Sequence, residues 1–176
     1  MELYRVEGLS FVYPGQSAPA LRDVSLTVRA GEFVTLCGLS GSGKSTLLRQ
    51  LKTALAPSGT RTGTVFFDGR PLARVPQREQ ASRIGFVQQS PEEQIVTDRV
   101  WHELAFGPES LGLDTQTIRR RAAETAAFFG MEGWFRRDTA SLSGGQKQLL
   151  SLAAVLTMQP DVLILDEPTA QLDPIA

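Results

Sequence analysis

Gly38-Leu39-Ser40-Gly41-Ser42-Gly43-Lys44-Ser45, followed by Thr46, is the stretch on which the reading of this chain turns. It has the pattern G-x-x-x-x-G-K-[ST], and it stands between a short apolar run, Phe33 to Cys37, and a helical segment from Lys44 to about Leu55. Glycines at these positions let consecutive backbone N–H groups converge on phosphate oxygens. The helix that follows turns the positive end of its dipole toward the same anion. Lys44 would reach β- and γ-phosphates, and Ser45 would offer its hydroxyl to Mg2+. The plain alternative is a flexible glycine-rich turn; a strand before it and a helix after it are the context that favours nucleotide.

Working outward, Leu3 to Val12 and Ser25 to Val28 read as strands on either side of a Pro14-Gly15 turn. Thr64 to Phe67 reads as a strand ending at Asp68-Gly69, and Ile84 to Gln88 as another. From Asp98 to Phe135 the pattern is helical: Ile118, Ala122, Ala126 and Phe129 share a face, and Gly130 is a stop. Gln146 to Thr157 is a further helix before Pro160. Val162-Leu163-Ile164-Leu165 is a continuous apolar run, the signature of a strand covered on both faces of a parallel sheet. Strands alternating with helices give an α/β fold. Its parallel core carries an antiparallel β subdomain at the N-terminus and an inserted helical subdomain at about residues 90–140. Directly after the last strand come Asp166 and Glu167, at the carboxyl end where open α/β sheets hold their ligands. Asp166 would hold Mg2+ through water, and Glu167 would orient or deprotonate an attacking water.

Composition narrows the setting. The chain has 176 residues, enough for one good core, and its 41% hydrophobic and 21% charged residues are those of a globular protein. A net charge of −1 supplies no basic field for nucleic acid, so no nucleic-acid partner is expected. Arg119-Arg120-Arg121, the only basic cluster, reads as a solvated helix face. The single cysteine, Cys37, excludes an internal disulfide framework. No apolar run approaches the roughly 20 residues of a membrane span, and Met1 to Gly8 lacks the pattern of a signal peptide.

Leu142-Ser143-Gly144-Gly145-Gln146 extends the argument. Alone it is a glycine-rich turn opening a helix, with Ser143 as N-cap or as part of a second anion site. After a phosphate loop and before Asp166-Glu167, it makes the chain resemble the ATP-binding cassette (ABC) family, P-loop NTPases with a RecA-like core. The resemblance covers essentially residues 1–176 as one nucleotide-binding domain. It implies that Tyr13 stacks on adenine, although a packing tyrosine fits the same place. It implies that Gly38 through Thr46 bind ATP, and that Gln89, rather than the adjacent Gln88, touches Mg2+ and the water. It implies that two cassettes pair head to tail, so that Ser143, Gly144, Gly145 and Gln146 of one face the γ-phosphate on the other, with Asp173 in the loop after Ala170. The stretch Gln94-Ile95-Val96 to Trp101-His102-Glu103-Leu104-Ala105-Phe106-Gly107, with Pro91-Glu92-Glu93-Gln94, is similar to the ATPase component of energy-coupling-factor and cobalt importers. That implies transmembrane partner subunits, a peripheral place on the cytoplasmic face of the membrane, and uptake of vitamins or metal ions. Trp101, Leu104 and Phe106 also fit a simple packing face.

The family carries a switch histidine one strand beyond Asp173, whereas this sequence ends at Ala176 and its one histidine, His102, precedes Leu142-Ser143. The expectation is a truncated domain with a gap beside Val162 to Leu165, weak or inactive as an ATPase by itself. The other readings are a soluble cassette ATPase outside transport, and a nucleotide-binding fragment without turnover.

Overall fold

The computed structural model describes residues 1–169. Two compact units divide the chain, Met1–Gln80 and the part from Ala81 onward. In the first, β1 (Glu2–Val12), β2 (Leu21–Arg29), β3 (Thr60–Phe67) and the two-residue β4 (Arg70–Pro71) form an antiparallel sheet in the order β2-β1-β3-β4. The expected N-terminal antiparallel subdomain is therefore present, with longer strands than the sequence suggested. Tyr4, Val6, Leu9 and Phe11 of β1 are buried, as are Val65 and Phe67 of β3. Burial pushes the Tyr4 phenol pKa up, and its hydroxyl donates to the Leu51 carbonyl at 2.6 Å.

Helix α1 covers only Lys44–Gln50, not the span to Leu55. Tertiary partners take the groups that a longer helix would have used. Tyr4 holds the Leu51 carbonyl, and the Gln80 side-chain oxygen accepts both the N–H of Thr53 (3.0 Å) and its hydroxyl (2.9 Å). A second correction concerns Phe33 to Cys37. These residues form no strand; Phe33 is 92% exposed and Val34 is 51% exposed. An extended segment becomes a strand through a ladder partner, and among the described residues none pairs with this one.

The second unit opens with the end of helix α2 (Gln77–Arg83) and strand β5 (Ile84–Val87). Strand β5 pairs in parallel with β6 (Val162–Leu165), Ile84 opposite Val162 and Val87 opposite Leu165. All of β5 is buried, but in β6 only Ile164 is, and Leu163 is 36% exposed. The expected cover on both faces of β6 is thus corrected, since Leu163 reaches the surface; along its edges β6 has one strand neighbour among the described residues, β5.

The helical stretch resolves into α3 (Val100–Ser110) and α4 (Thr115–Phe128), with Gly130 in left-handed conformation just beyond. Asp114 caps α4 by accepting the Thr117 N–H at 2.9 Å, and hydrogen bonding from the Thr117 side chain first, with its N–H second, holds the Asp114 carboxyl pKa below the usual range. Helix α5 (Gly144–Leu156) begins two residues before the expected start. Val100 and Leu104 of α3, Ala122 and Ala126 of α4, and Leu150 and Ala153 of α5 share one buried core with Met131 and Leu142. Arg121 of α4 donates to the Thr157 and Met158 carbonyls, both at 3.3 Å, tying α4 to the C-terminal end of α5.

Helix α5 lies so close to β5 that a Cβ on Gly85 would meet Val155 Cγ1 at 2.6 Å and Pro160 Cγ at 2.9 Å. Gly85→Ala is expected to lower unfolding stability by about 1–3 kcal/mol through overpacking. Urea denaturation measures it, and an unchanged midpoint would contradict this packing.

Candidate functional site

The phosphate loop belongs to the first unit. Gly43, the N-cap of α1, has φ 91°, and a Cβ there would lie 2.4 Å from the Ala20 carbonyl oxygen. Both facts demand glycine at that position. The Ser42 N–H donates to the Leu39 carbonyl at 3.2 Å, closing a turn within the loop. Lys44 Nζ curls back over it, donating to the carbonyls of Gly38 (3.0 Å) and Leu39 (2.9 Å). From Gly38 to Ser42 every residue is exposed. Tyr13 is half-buried, edge-on to Phe11 with ring centres 4.8 Å apart, and its hydroxyl lies 3.0 Å from Thr46 Oγ1. Tyr13 and the phosphate-loop helix are therefore neighbours, although 33 residues separate Tyr13 from Thr46.

The acids belong to the second unit. The Asp166 N–H donates to the Val87 carbonyl at 3.0 Å, carrying the β5–β6 ladder one residue past the strand. The Asp166 side chain is buried beneath that point. At Glu167 the backbone turns sharply into the left-handed region, φ 50°, which non-glycine residues seldom adopt and which clusters at functional sites. The turn leaves Glu167 exposed. Gln89 Nε2 donates to Glu167 Oε2 at 2.8 Å across a separation of 78 residues. Gln88 behaves differently: its backbone N–H donates to Gln94 Oε1 at 2.8 Å.

Ser143 caps α5 in a reciprocal box, its Oγ accepting the Gln146 N–H (3.2 Å) while Gln146 Oε1 accepts the Ser143 N–H (3.0 Å). Ser143 and Gly144 are exposed. Since the hydroxyl accepts in the cap, its O–H is left to donate outward, so cap and anion contact are compatible. Asp173 lies outside the described residues.

Three further groups brace the surroundings of Gln89. Glu103, buried on α3, accepts the N–H groups of Val96 (3.1 Å) and Thr97 (2.8 Å) through one carboxylate oxygen. Lys147 pairs with Glu92 at 3.0 Å. Gln94 joins Gln88 to α5. Glu92, Gln94 and Glu103 stand in the stretches that carry the importer resemblance, but the contacts of Glu92 and Gln94 with α5 are set by distant partners, and Lys147 carries no local signal. Of the aromatic stretch on α3, Leu104 is buried, whereas Trp101 (44% exposed) and Phe106 (45%) reach the surface.

Among the described residues no group of three or more His, Cys, Asp or Glu side chains could hold a metal, and no helix is long and apolar enough to cross a membrane. The donors near the acids are oxygens, the Asp166 carboxylate and the Gln89 amide. So sparse and hard a set fits Mg2+, which keeps several waters and shares its coordination with substrate phosphates.

The ABC transporter family pattern matches residues 21–170. A putative ABC transporter ATP-binding protein of Bacillus cereus is 52% identical over 171 residues, covering 97% of this chain and 31% of that protein. The energy-coupling factor transporter ATP-binding protein EcfA of Syntrophomonas wolfei is 40% identical over 170 residues, covering 96% of this chain and 61% of its own length. A solved structure, the ATP-binding cassette MJ0796 as a dimer in a post-hydrolysis state with ADP and Pi, matches with a TM-score of 0.85 at 26% identity, covering 98% and 77% of the two chains. The chain thus has the fold of a P-loop ATPase domain and spans about a third of the Bacillus cereus relative.

Proposed function

Because this chain belongs to the ABC transporter family, we propose that it is the ATP-binding and ATP-hydrolysing part of a membrane importer for vitamins or metal ions. The observation that carries the proposal is the 2.8 Å hydrogen bond between Gln89 and Glu167. Two residues assigned to the same attacking water meet at the carboxyl end of β6, next to buried Asp166.

In this reading Tyr13 stacks on adenine, and the N–H groups from Gly38 through Thr46 hold the phosphates. Ser45, Gln89 and Asp166 would hold Mg2+, which supplies charge neutralisation on the phosphate oxygens. Lys44 releases its own loop carbonyls and donates to the β- and γ-phosphates. Glu167 takes the proton of the water whose oxygen bonds to the γ-phosphorus, and the bond to the β–γ bridging oxygen breaks, leaving ADP and phosphate. The protein's work is positioning and electrostatic stabilisation.

Ser143 and Gly145 of one cassette would complete the γ-phosphate site of a second, with Gly144, Gln146 and Asp173 alongside. The dimeric state of the MJ0796 relative supports this arrangement, and the exposure of Ser143 and Gly144 suits it. Closure would be passed to transmembrane subunits at the cytoplasmic face, over the surface between Gln89 and Trp101, where Val96 and Trp101 stand exposed. The test is phosphate release and ATP binding by the intact protein, with and without Mg2+. Magnesium-dependent release is expected; ATP bound without release leaves a nucleotide sensor, and no binding overturns the reading.

A further inference from the structure

Gln94 holds a place that the chemistry of phosphate transfer does not explain. Its Oε1 accepts the Gln88 N–H at 2.8 Å, one residue ahead of Gln89. Its Nε2 points the other way, 3.5 Å from the Phe86 carbonyl and 3.4 Å from the Ser151 carbonyl in the middle of α5. Both of those contacts are long, and so are easily exchanged. One amide therefore joins the end of β5, the turn that carries Gln89, and the helix capped by Ser143. The Lys147–Glu92 pair makes a parallel link at 3.0 Å, and Lys147 and Ser151, four residues apart, share a face of α5.

On α5 lie two polar side chains without partners among the described residues. Gln148 is 2% exposed and Ser151 1% exposed, and Gln148 Nε2, Gln148 Oε1 and Ser151 Oγ make no hydrogen bond to any described residue. They sit three residues apart, one above the other on the helix. Buried polar atoms without partners are costly and rare, and each calls for a reason. A second arrangement that satisfies them is such a reason.

We propose that Gln94 is a positioning residue: it sets the reach of Gln89 and carries the displacement of Gln89 to α5, with Gln148 and Ser151 as its partners in the nucleotide-bound arrangement. The proposal rests on the ATPase reading above. In the present arrangement Gln89 is held by Glu167. Turning the Gln89 amide toward magnesium and water moves the backbone of Gln88. The strong contact at Oε1 makes Gln94 follow, and the weak contacts at Nε2 let go. The Ser151 hydroxyl and the Gln148 carbonyl oxygen can then accept Nε2–H, and α5 shifts with Ser143 at its start.

The experiment uses the intact protein and Gln94→Met, which keeps length and bulk and removes donor and acceptor together. It measures kcat, the dissociation constant for Mg-ATP, and backbone hydrogen exchange over residues 146–151 with and without Mg-ATP. The kcat is expected to fall about tenfold to a hundredfold with nucleotide affinity within about twofold, as for a misplaced rather than a missing group. In the wild type Mg-ATP alters exchange in both 88–94 and 146–151; in Gln94→Met it alters only the first. Gln148→Met is expected to weaken the same α5 response, with nucleotide-free exchange over 146–151 no faster than in the wild type, because the substitution removes two unpartnered buried polar atoms. An unchanged kcat, or an undiminished α5 response in Gln94→Met, overturns the proposal. So does α5 exchange that is already fast in the nucleotide-free variant, which would make Gln94 a purely structural tie. A wild-type protein that neither binds nor hydrolyses ATP strikes instead at the ATPase reading and removes this proposal with it.

Discussion

Glu167→Gln in the intact protein is expected to retain Mg-ATP while its phosphate release falls by about two to four orders of magnitude, the contribution of a positioned general base. The substitution isolates basicity from shape. A glutamine has the same length, and its amide oxygen can still accept the bond that Gln89 Nε2 makes to Glu167 Oε2 at 2.8 Å. The left-handed backbone at position 167, φ 50°, strains the two side chains alike. What disappears is the ability to take a proton from water, so binding and turnover should separate cleanly. If two cassettes close around ATP as proposed and part on hydrolysis, the variant also forms a longer-lived dimer. Phosphate release near the wild-type rate would remove Glu167 from the chemistry and leave Gln89 as a mere surface partner.

Much of this arrangement could be read in the sequence because the deciding signals are local. Ser143 reads as an N-cap opening a helix, and the structure forms that cap, with Gln146 returning the bond. Ile118, Ala122 and Ala126 recur at helical spacing, and α4 buries all three. What could not be read depends on distant partners. Val162 to Leu165 is as apolar as a fully covered strand, yet only Ile164 is buried, because cover is set by neighbours rather than by the run itself. Phe33 to Cys37 fails as a strand for the same reason. Helix α1 stops early because Tyr4 and Gln80, each far from it in sequence, take the groups at its end. Helix α2 escaped notice because Gln77–Arg83 is almost wholly polar and buries only Gln80. The link from Gln94 to Ser151 spans 57 residues, and no local pattern encodes it.

Lys44→Ala is expected to weaken ATP binding by roughly 10- to 100-fold, the value of one or two hydrogen bonds from a charged donor. The ammonium donates to the Gly38 and Leu39 carbonyls at 3.0 and 2.9 Å. Phosphate oxygens must compete with those two acceptors, and they win because they carry full charge where the carbonyls carry a dipole. The gain should therefore grow with the phosphates that the lysine can reach. Affinity for ATP and ADP should drop in the variant, whereas adenosine, offered only the Tyr13 side of the site, should bind as it does to the wild type. The loop from Gly38 to Ser42 is exposed, so losing the two internal bonds should change folding stability by no more than about 0.5 kcal/mol. Calorimetric titration with the three ligands, alongside thermal unfolding, separates these effects. An equal loss of affinity for all three would mean that the lysine shapes the loop, and an unchanged dissociation constant for ATP would deny Gly38 to Ser45 its place as a phosphate cradle.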